Sequence, residues 1–132
     1  MAYLDISSLS VYYGKTKALS DLSLQIEKGE LFTLLGPSGS GKSTILNSVA
    51  GFIEPTAGKI ELDQKEVTHL PPNKREIGMV FQSYALFPHK TVAENVAYPL
   101  KLRKLTKAQI YEKVTEYLSM VDLQLYANRK PG

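Results

Sequence analysis

The chain contains no cysteine and no tryptophan. Without cysteine, disulfides and thiolate metal sites are excluded, and a cytoplasmic address is permitted without being required. Long hydrophobic runs are missing as well. Nowhere do about eighteen apolar residues follow one another, so no stretch is expected to span a bilayer as a helix. The opening residues, MAYLDISSLS, include Asp5 and lack the apolar core of a secretory leader. Charge of one sign is scarce: 16 basic and 13 acidic residues leave a net +3, and nucleic-acid-binding domains usually carry a larger and more clustered excess. The densest basic cluster, Lys101, Arg103, Lys104 and Lys107, suits a solvated helix end, with an acidic partner or lipid head groups as the alternative. What remains is an ordinary globular composition, 43% hydrophobic and 22% charged. A length of 132 residues fits one domain or a large piece of one. A soluble chain with no nucleic-acid partner is the expectation.

Apolar periodicity divides the chain. Leu4 and Ile6, then Leu9, Val11 and Tyr13, alternate with polar neighbours, as do Leu22, Leu24 and Ile26, so the first thirty residues predict strands. LFTLL, residues 31–35, is almost wholly apolar, as expected of a strand buried on both faces of a parallel sheet. IGMVF, residues 77–81, is a second such candidate. Between them, Ile45, Leu46 and Val49 recur at helical spacing, and Gly51 stands where a helix would end. EPTAG at 54–58 predicts a turn, followed by a strand through Ile60 and Leu62, and the two prolines of LPPNKR exclude regular structure. Beyond residue 90 the period becomes helical. Thr91 with Glu94 and Thr106 with Gln109 match the capping box that opens a helix. Ile110, Val114, Tyr117, Leu118 and Val121 predict one apolar stripe, and Tyr98-Pro99 predicts the end or a kink of the preceding helix.

One stretch carries chemistry. Gly36-Pro37-Ser38-Gly39-Ser40-Gly41-Lys42-Ser43 fits G-x-x-x-x-G-K-[ST], the pattern of a phosphate-binding P-loop, and it lies between a predicted strand and a predicted helix. Each position has a reason. The glycines allow a tight turn whose N–H groups converge on phosphate oxygens. The helix that follows offers the positive end of its dipole to the anion. Lys42 supplies a mobile positive charge for the β- and γ-phosphates. The Ser43 hydroxyl is a hard oxygen ligand suited to Mg²⁺, and Thr44 is a further donor near the α-phosphate. A small-molecule or nucleotide kinase uses the same loop but usually places it near the N-terminus, whereas thirty-five mostly strand-like residues precede it in this chain. His69 and His89 have no metal-ligating neighbours at useful spacing and suit the surface.

Over its whole length the chain resembles the ATP-binding subunits of ABC transporters of the bacterial importer type. VYYGKTKALSDLSLQIEKGE resembles the opening β-subdomain, where an aromatic residue before a glycine stacks on adenine. That role falls on Tyr13, with Tyr12 its neighbour. PPNKREIGMVFQSYALFPHKTVAENVAYPL resembles the segment ending in the Q-loop. Gln82 is then the glutamine that reaches Mg²⁺ and the attacking water and relays nucleotide state to the membrane subunit. Tyr84, Leu86, Phe87 and Pro88 follow in a region that faces the membrane subunits in this family. The fold implied is an α/β P-loop NTPase core of the ABC type, with an antiparallel β-subdomain and the start of a helical subdomain. It would be an incomplete domain, with residues 1–90 forming the β-subdomain, P-loop core and Q-loop, and residues 91–132 beginning the helical part.

The resemblance further implies MgATP as cofactor and import of a solute driven by ATP hydrolysis. It implies membrane-spanning permease subunits, a second ATP-binding subunit across the nucleotide, and an extracytoplasmic solute-binding protein as indirect partner. The location implied is peripheral, on the cytoplasmic face of the cell membrane. The family's signature motif and Walker B strand do not occur in these 132 residues; the nearest imitation of the latter, LSMVD at 118–122, lies on the helical stripe. The chain by itself is therefore expected to bind nucleotide without turnover. A P-loop kinase and a non-hydrolysing nucleotide-binding module remain the alternatives.

Overall fold

The computed structural model describes residues 1–132 and divides into two compact units, Met1–Met79 and Val80–Gly132. The first is built on an antiparallel sheet. Strands β1 (Ala2–Tyr13) and β2 (Thr16–Glu27) form a hairpin that turns at Gly14. Strands β3 (Ala57–Leu62) and β4 (Lys65–Glu66) extend it in the order β2-β1-β3-β4. The predicted alternation in β1 changes phase between Ile6 and Leu9, three residues apart, yet both are buried. A register shift there, with Ser8 at a φ of 47°, supplies the extra residue that returns Leu9 to the core face. Ile6, Leu9, Val11, Leu19, Ile60 and Val67 form this core, and Ile45, Val49 and Ile53 pack on it. Full burial of side chains of this size stabilises by roughly 1.5–3 kcal/mol each.

Helix α1 (Lys42–Ala50) follows the glycine loop and ends at Gly51, which has a φ of 87° and whose N–H donates to carbonyls of the last turn. The expected helix end is thus present in its left-handed form. The segment LPPNKR carries a single 3₁₀ turn, Pro72–Lys74, where no regular structure was expected, because a proline at its start needs no backbone donor.

In the second unit, α2 (Val92–Leu102) and α3 (Lys107–Met120) each begin with a complete capping box, at Thr91/Glu94 and Thr106/Gln109. Ala97, Leu100, Val114 and Leu118 make their shared core. Of the predicted stripe on α3, Val114 and Leu118 are buried, but Tyr117 and Val121 are exposed. Pro99 does not end α2: the helix runs on to Leu102, because the proline removes one donor near the C-terminal end while the Arg103 N–H still bonds back to Pro99.

Two expected strands are not strands. Residues 31–35 and 77–81 have no ladder hydrogen bonds, and Leu31, Leu35 and Val80 are almost fully exposed. A buried parallel strand depends on neighbours on both edges, and the only strand pairings in these 132 residues are the three of the antiparallel sheet.

Candidate functional site

The glycine loop and the start of α1 form one small structure. The Ser40 N–H donates to the Pro37 carbonyl at 3.2 Å, closing the turn. Gly39 and Gly41 have φ values of 82° and 95°, a region L side chains enter only at a cost. Gly41 is also the residue before the helix, and a Cβ on it would lie 2.8 Å from Leu19 Cδ2. The loop therefore sits close against β2, where a side chain would have to displace Leu19 as well as adopt the left-handed conformation. At Gly36 a Cβ would come within 2.8 Å of Ser40 Oγ, so a larger residue there would turn that hydroxyl away from the loop.

Lys42 turns back over the loop. Its ammonium donates to the carbonyls of Gly36 and, at 2.8 Å, Pro37, and it lies 3.1 Å from Ser40 Oγ. Its charge is thereby held over the concave side of the turn. The N-terminus of α1 has no capping side chain and no acidic residue in its first turn. The helix's positive end is thus free of a competing carboxylate. Ser43 is exposed and Thr44 half-buried on that first turn. Gly36, Pro37, Ser38, Gly39, Ser40, Gly41, Lys42, Ser43 and Thr44 are therefore gathered at one helix start. Backbone donors, a cation and a hydroxyl without a local anion fit a magnesium-bound polyphosphate.

Tyr12 and Tyr13 stand at the tip of the β1–β2 hairpin, where Tyr12 pairs with Lys17 and Tyr13 with Thr16. Leu19, against which Gly41 packs, pairs with Val11 in the same ladder. Tyr13 is thus two residues along the strand from that rung, about 7 Å at strand spacing. Both rings are exposed, Tyr13 slightly more at 52%, which is unlike core tyrosine and suits a stacking face.

Gln82 lies in the other unit, exposed, at the beginning of an irregular loop. The Tyr84 N–H bonds to the Phe81 carbonyl, and Tyr84 and Ala85 both take left-handed conformations. Tyr84 and Leu86 are exposed. Phe87 turns inward, with its ring 4.7 Å from that of Tyr98 on α2. His69 pairs with Glu54 on the surface at 2.9 Å.

One residue behind the site gave no signal in the sequence. Arg75 is 5% exposed and donates only to main-chain carbonyls: Ser48 and Val49 at the C-terminal end of α1, and Thr68 and Leu70 beside it. Burial pushes its guanidinium pKa down, yet arginine stays protonated. It places a full positive charge at the negative end of the helix whose other end bears the glycine loop. Two prolines and a charged run surround it, and nothing local marked Arg75 as the buried member.

A family model described as ABC transporter matches residues 19–132. The spermidine/putrescine import ATP-binding protein PotA of Thermotoga maritima is 45% identical over 129 residues, 98% of this chain and 35% of its own length. The putrescine transport ATP-binding protein PotG of Escherichia coli is 52% identical over 128 residues, 97% of this chain and 34% of its own. The chain therefore spans about a third of the length of the curated relatives it matches. Among solved structures, a dimeric bacterial ABC transporter cassette superposes with a TM-score of 0.86 at 32% identity, covering 97% of this chain and 61% of that one. A post-hydrolysis dimer of a cassette bound to ADP and phosphate does so with a TM-score of 0.84, at the same identity and coverage.

Proposed function

Because the chain belongs to the ABC transporter family, we propose that it is the nucleotide-gripping part of an ATP-binding subunit that drives solute import across a membrane. The observation that carries this is the glycine loop at 36–41 packed on β2, with the Lys42 ammonium drawn over it and α1 pointing its uncapped N-terminus at the same place. The Thermotoga maritima relative, named as an import ATP-binding protein, supports the direction of transport. In this role the loop N–H groups and Lys42 bind the phosphates, Ser43 offers its hydroxyl to Mg²⁺, and Tyr13 stacks on the adenine. Magnesium, when bound, supplies neutralisation of phosphate charge. Gln82 is proposed as the residue that senses the metal and orients water.

The partners follow from the same family. We assign Tyr84 and Leu86, on the loop after Gln82, to contact with a short cytoplasmic helix of a membrane-spanning subunit. A second ATP-binding subunit across the nucleotide is supported by the dimeric cassettes. No helix of this chain is long and apolar enough to cross a membrane, and attachment to the cytoplasmic face would come through the permease. The transported solute is selected by the permease and the solute-binding protein.

Calorimetry with MgATP tests the grip. Lys42→Ala should cost about 1.5–3 kcal/mol, the range for hydrogen bonds to charged groups, or roughly tenfold to a hundredfold in affinity. Unchanged affinity would refute the assignment. Thin-layer analysis of labelled ATP separates the chemistries: with the full-length subunit, inorganic phosphate marks an ATPase and label on an added acceptor marks a kinase.

A further inference from the structure

Asn95, in the first turns of α2, directs its side-chain bonds back to the segment that leads into the helix. Its side-chain oxygen accepts the Phe87 N–H at 2.9 Å. Its side-chain nitrogen is shared among the carbonyls of Phe87, Lys90 and Thr91, at 3.2, 3.3 and 2.9 Å. Both backbone groups of Phe87 are thus held by one amide, much as a neighbouring strand would hold them. One turn further along α2, the Tyr98 ring rests against the Phe87 ring. Upstream of this anchor, Tyr84 and Ala85 keep left-handed conformations that non-glycine residues avoid unless their surroundings impose them. Beyond them Leu86 stands exposed.

We propose that Asn95 is a positioning residue for partner docking. It fixes Phe87 to α2, so that Tyr84 and Leu86 are presented in one arrangement and the loop moves with the helix as a single body. The inference rests on the proposed contact between residues 84–86 and the membrane subunit. It assigns to Asn95 the stiffness which that contact needs to transmit force. A flexible loop could touch a partner equally well, but it would not carry a displacement of the partner into the helix.

Two variants separate this role from ordinary helix stability. Asn95→Ala removes all four bonds. Asn95→Asp keeps the acceptor for the Phe87 N–H and places a negative charge near the N-terminus of α2, where it suits the dipole. It also sets a carboxylate against three carbonyl oxygens. A residue that served only the helix would tolerate aspartate. A residue that clamps the loop would not. The experiment uses the full-length subunit assembled with its membrane subunits, with Leu86→Cys cross-linked to cysteines in the partner's cytoplasmic loops. Hydrogen exchange of the 84–91 and α2 amides is measured on the same samples.

The expected result is a cross-linking yield lowered about fivefold or more in both variants, at the lower end of typical coupling effects. Exchange should be faster at residues 84–91 and unchanged in α2. Wild-type cross-linking in either variant would overturn the role of Asn95 and leave the docking contact standing. Absence of cross-links in the unsubstituted Asn95 background would overturn the docking contact and this inference with it. If Asn95→Ala does not fold, Asn95→Asp decides alone.

Discussion

Gly51 and Arg75 depend on each other. A Cβ on Gly51 would lie 2.6 Å from Arg75 Nε and 3.1 Å from the Leu70 carbonyl oxygen, and the residue sits at a φ of 87°. Gly51→Ala should therefore destabilise the protein by at least about 1–2 kcal/mol from the backbone conformation alone. Displacement of a buried guanidinium comes in addition, so thermal unfolding of the full-length subunit should show a larger loss than a helix-end glycine usually gives. The sequence marked Gly51 as a helix end but not as a neighbour of Arg75, because a buried arginine bonded to carbonyls leaves no partner charge to find. At the other end of the unit, Tyr13→Ala should weaken ATP and GTP binding alike, since every base offers a π-face to a stacking ring. Tyr12→Ala should do less. Equilibrium binding of both nucleotides to both variants checks the ranking, and the reverse order would move the stacking role to Tyr12.

Elements with local signatures were the legible ones. Thr91 and Thr106 each receive the N–H three residues on and are answered by Glu94 and Gln109, as the spacing predicted. The strands of the first thirty residues and the helix after the glycine loop were visible for the same reason: their determinants lie within a few residues of each other. The runs at 31–35 and 77–81 were misjudged because a strand is defined by its neighbours, and apolar sequence says only that a segment needs burial. The caps give a test. Thr91→Ala should cost about 1 kcal/mol of stability, the usual value for a lost N-cap. The Glu94 carboxylate, accepting the Thr91 N–H, is held below its ordinary value of 4.5. A carboxylate with a depressed folded pKa contributes stability that is complete above the unfolded value and is lost as pH falls through the folded one. Wild type should thus lose its advantage over Glu94→Gln on acidification below about pH 4.5, as followed by circular dichroism. A constant difference down to strong acid would contradict that account.

Over these 132 residues, several large apolar side chains are exposed. Leu31, Leu35 and Val80 are each more than nine-tenths exposed, in runs whose backbone groups have no ladder partner. Exposed apolar segments outside any ladder invite association between copies. Prepared as the 132-residue polypeptide, the protein should sediment as a concentration-dependent mixture of oligomers. Leu31→Ser combined with Leu35→Ser should shift it toward monomer in analytical ultracentrifugation. A monomer at all concentrations before substitution would show these runs to be harmless.

The Arg75 clamp has a consequence for what may vary around it. All of its bonds end on carbonyl oxygens, which every amino acid supplies. The joint is therefore blind to the identity of residues 48, 49 and 70 so long as their volume is kept, whereas Thr68 is also fixed by its hydroxyl, which accepts the buried Ile60 N–H. Ser48 makes the point: its carbonyl holds the guanidinium, while its buried hydroxyl has no hydrogen-bond partner. Replacing it with alanine discards only that idle hydroxyl, so the substitution should be tolerated or even favourable. Tolerance around the joint and intolerance at Arg75 and Gly51 would be its imprint on any set of functional variants.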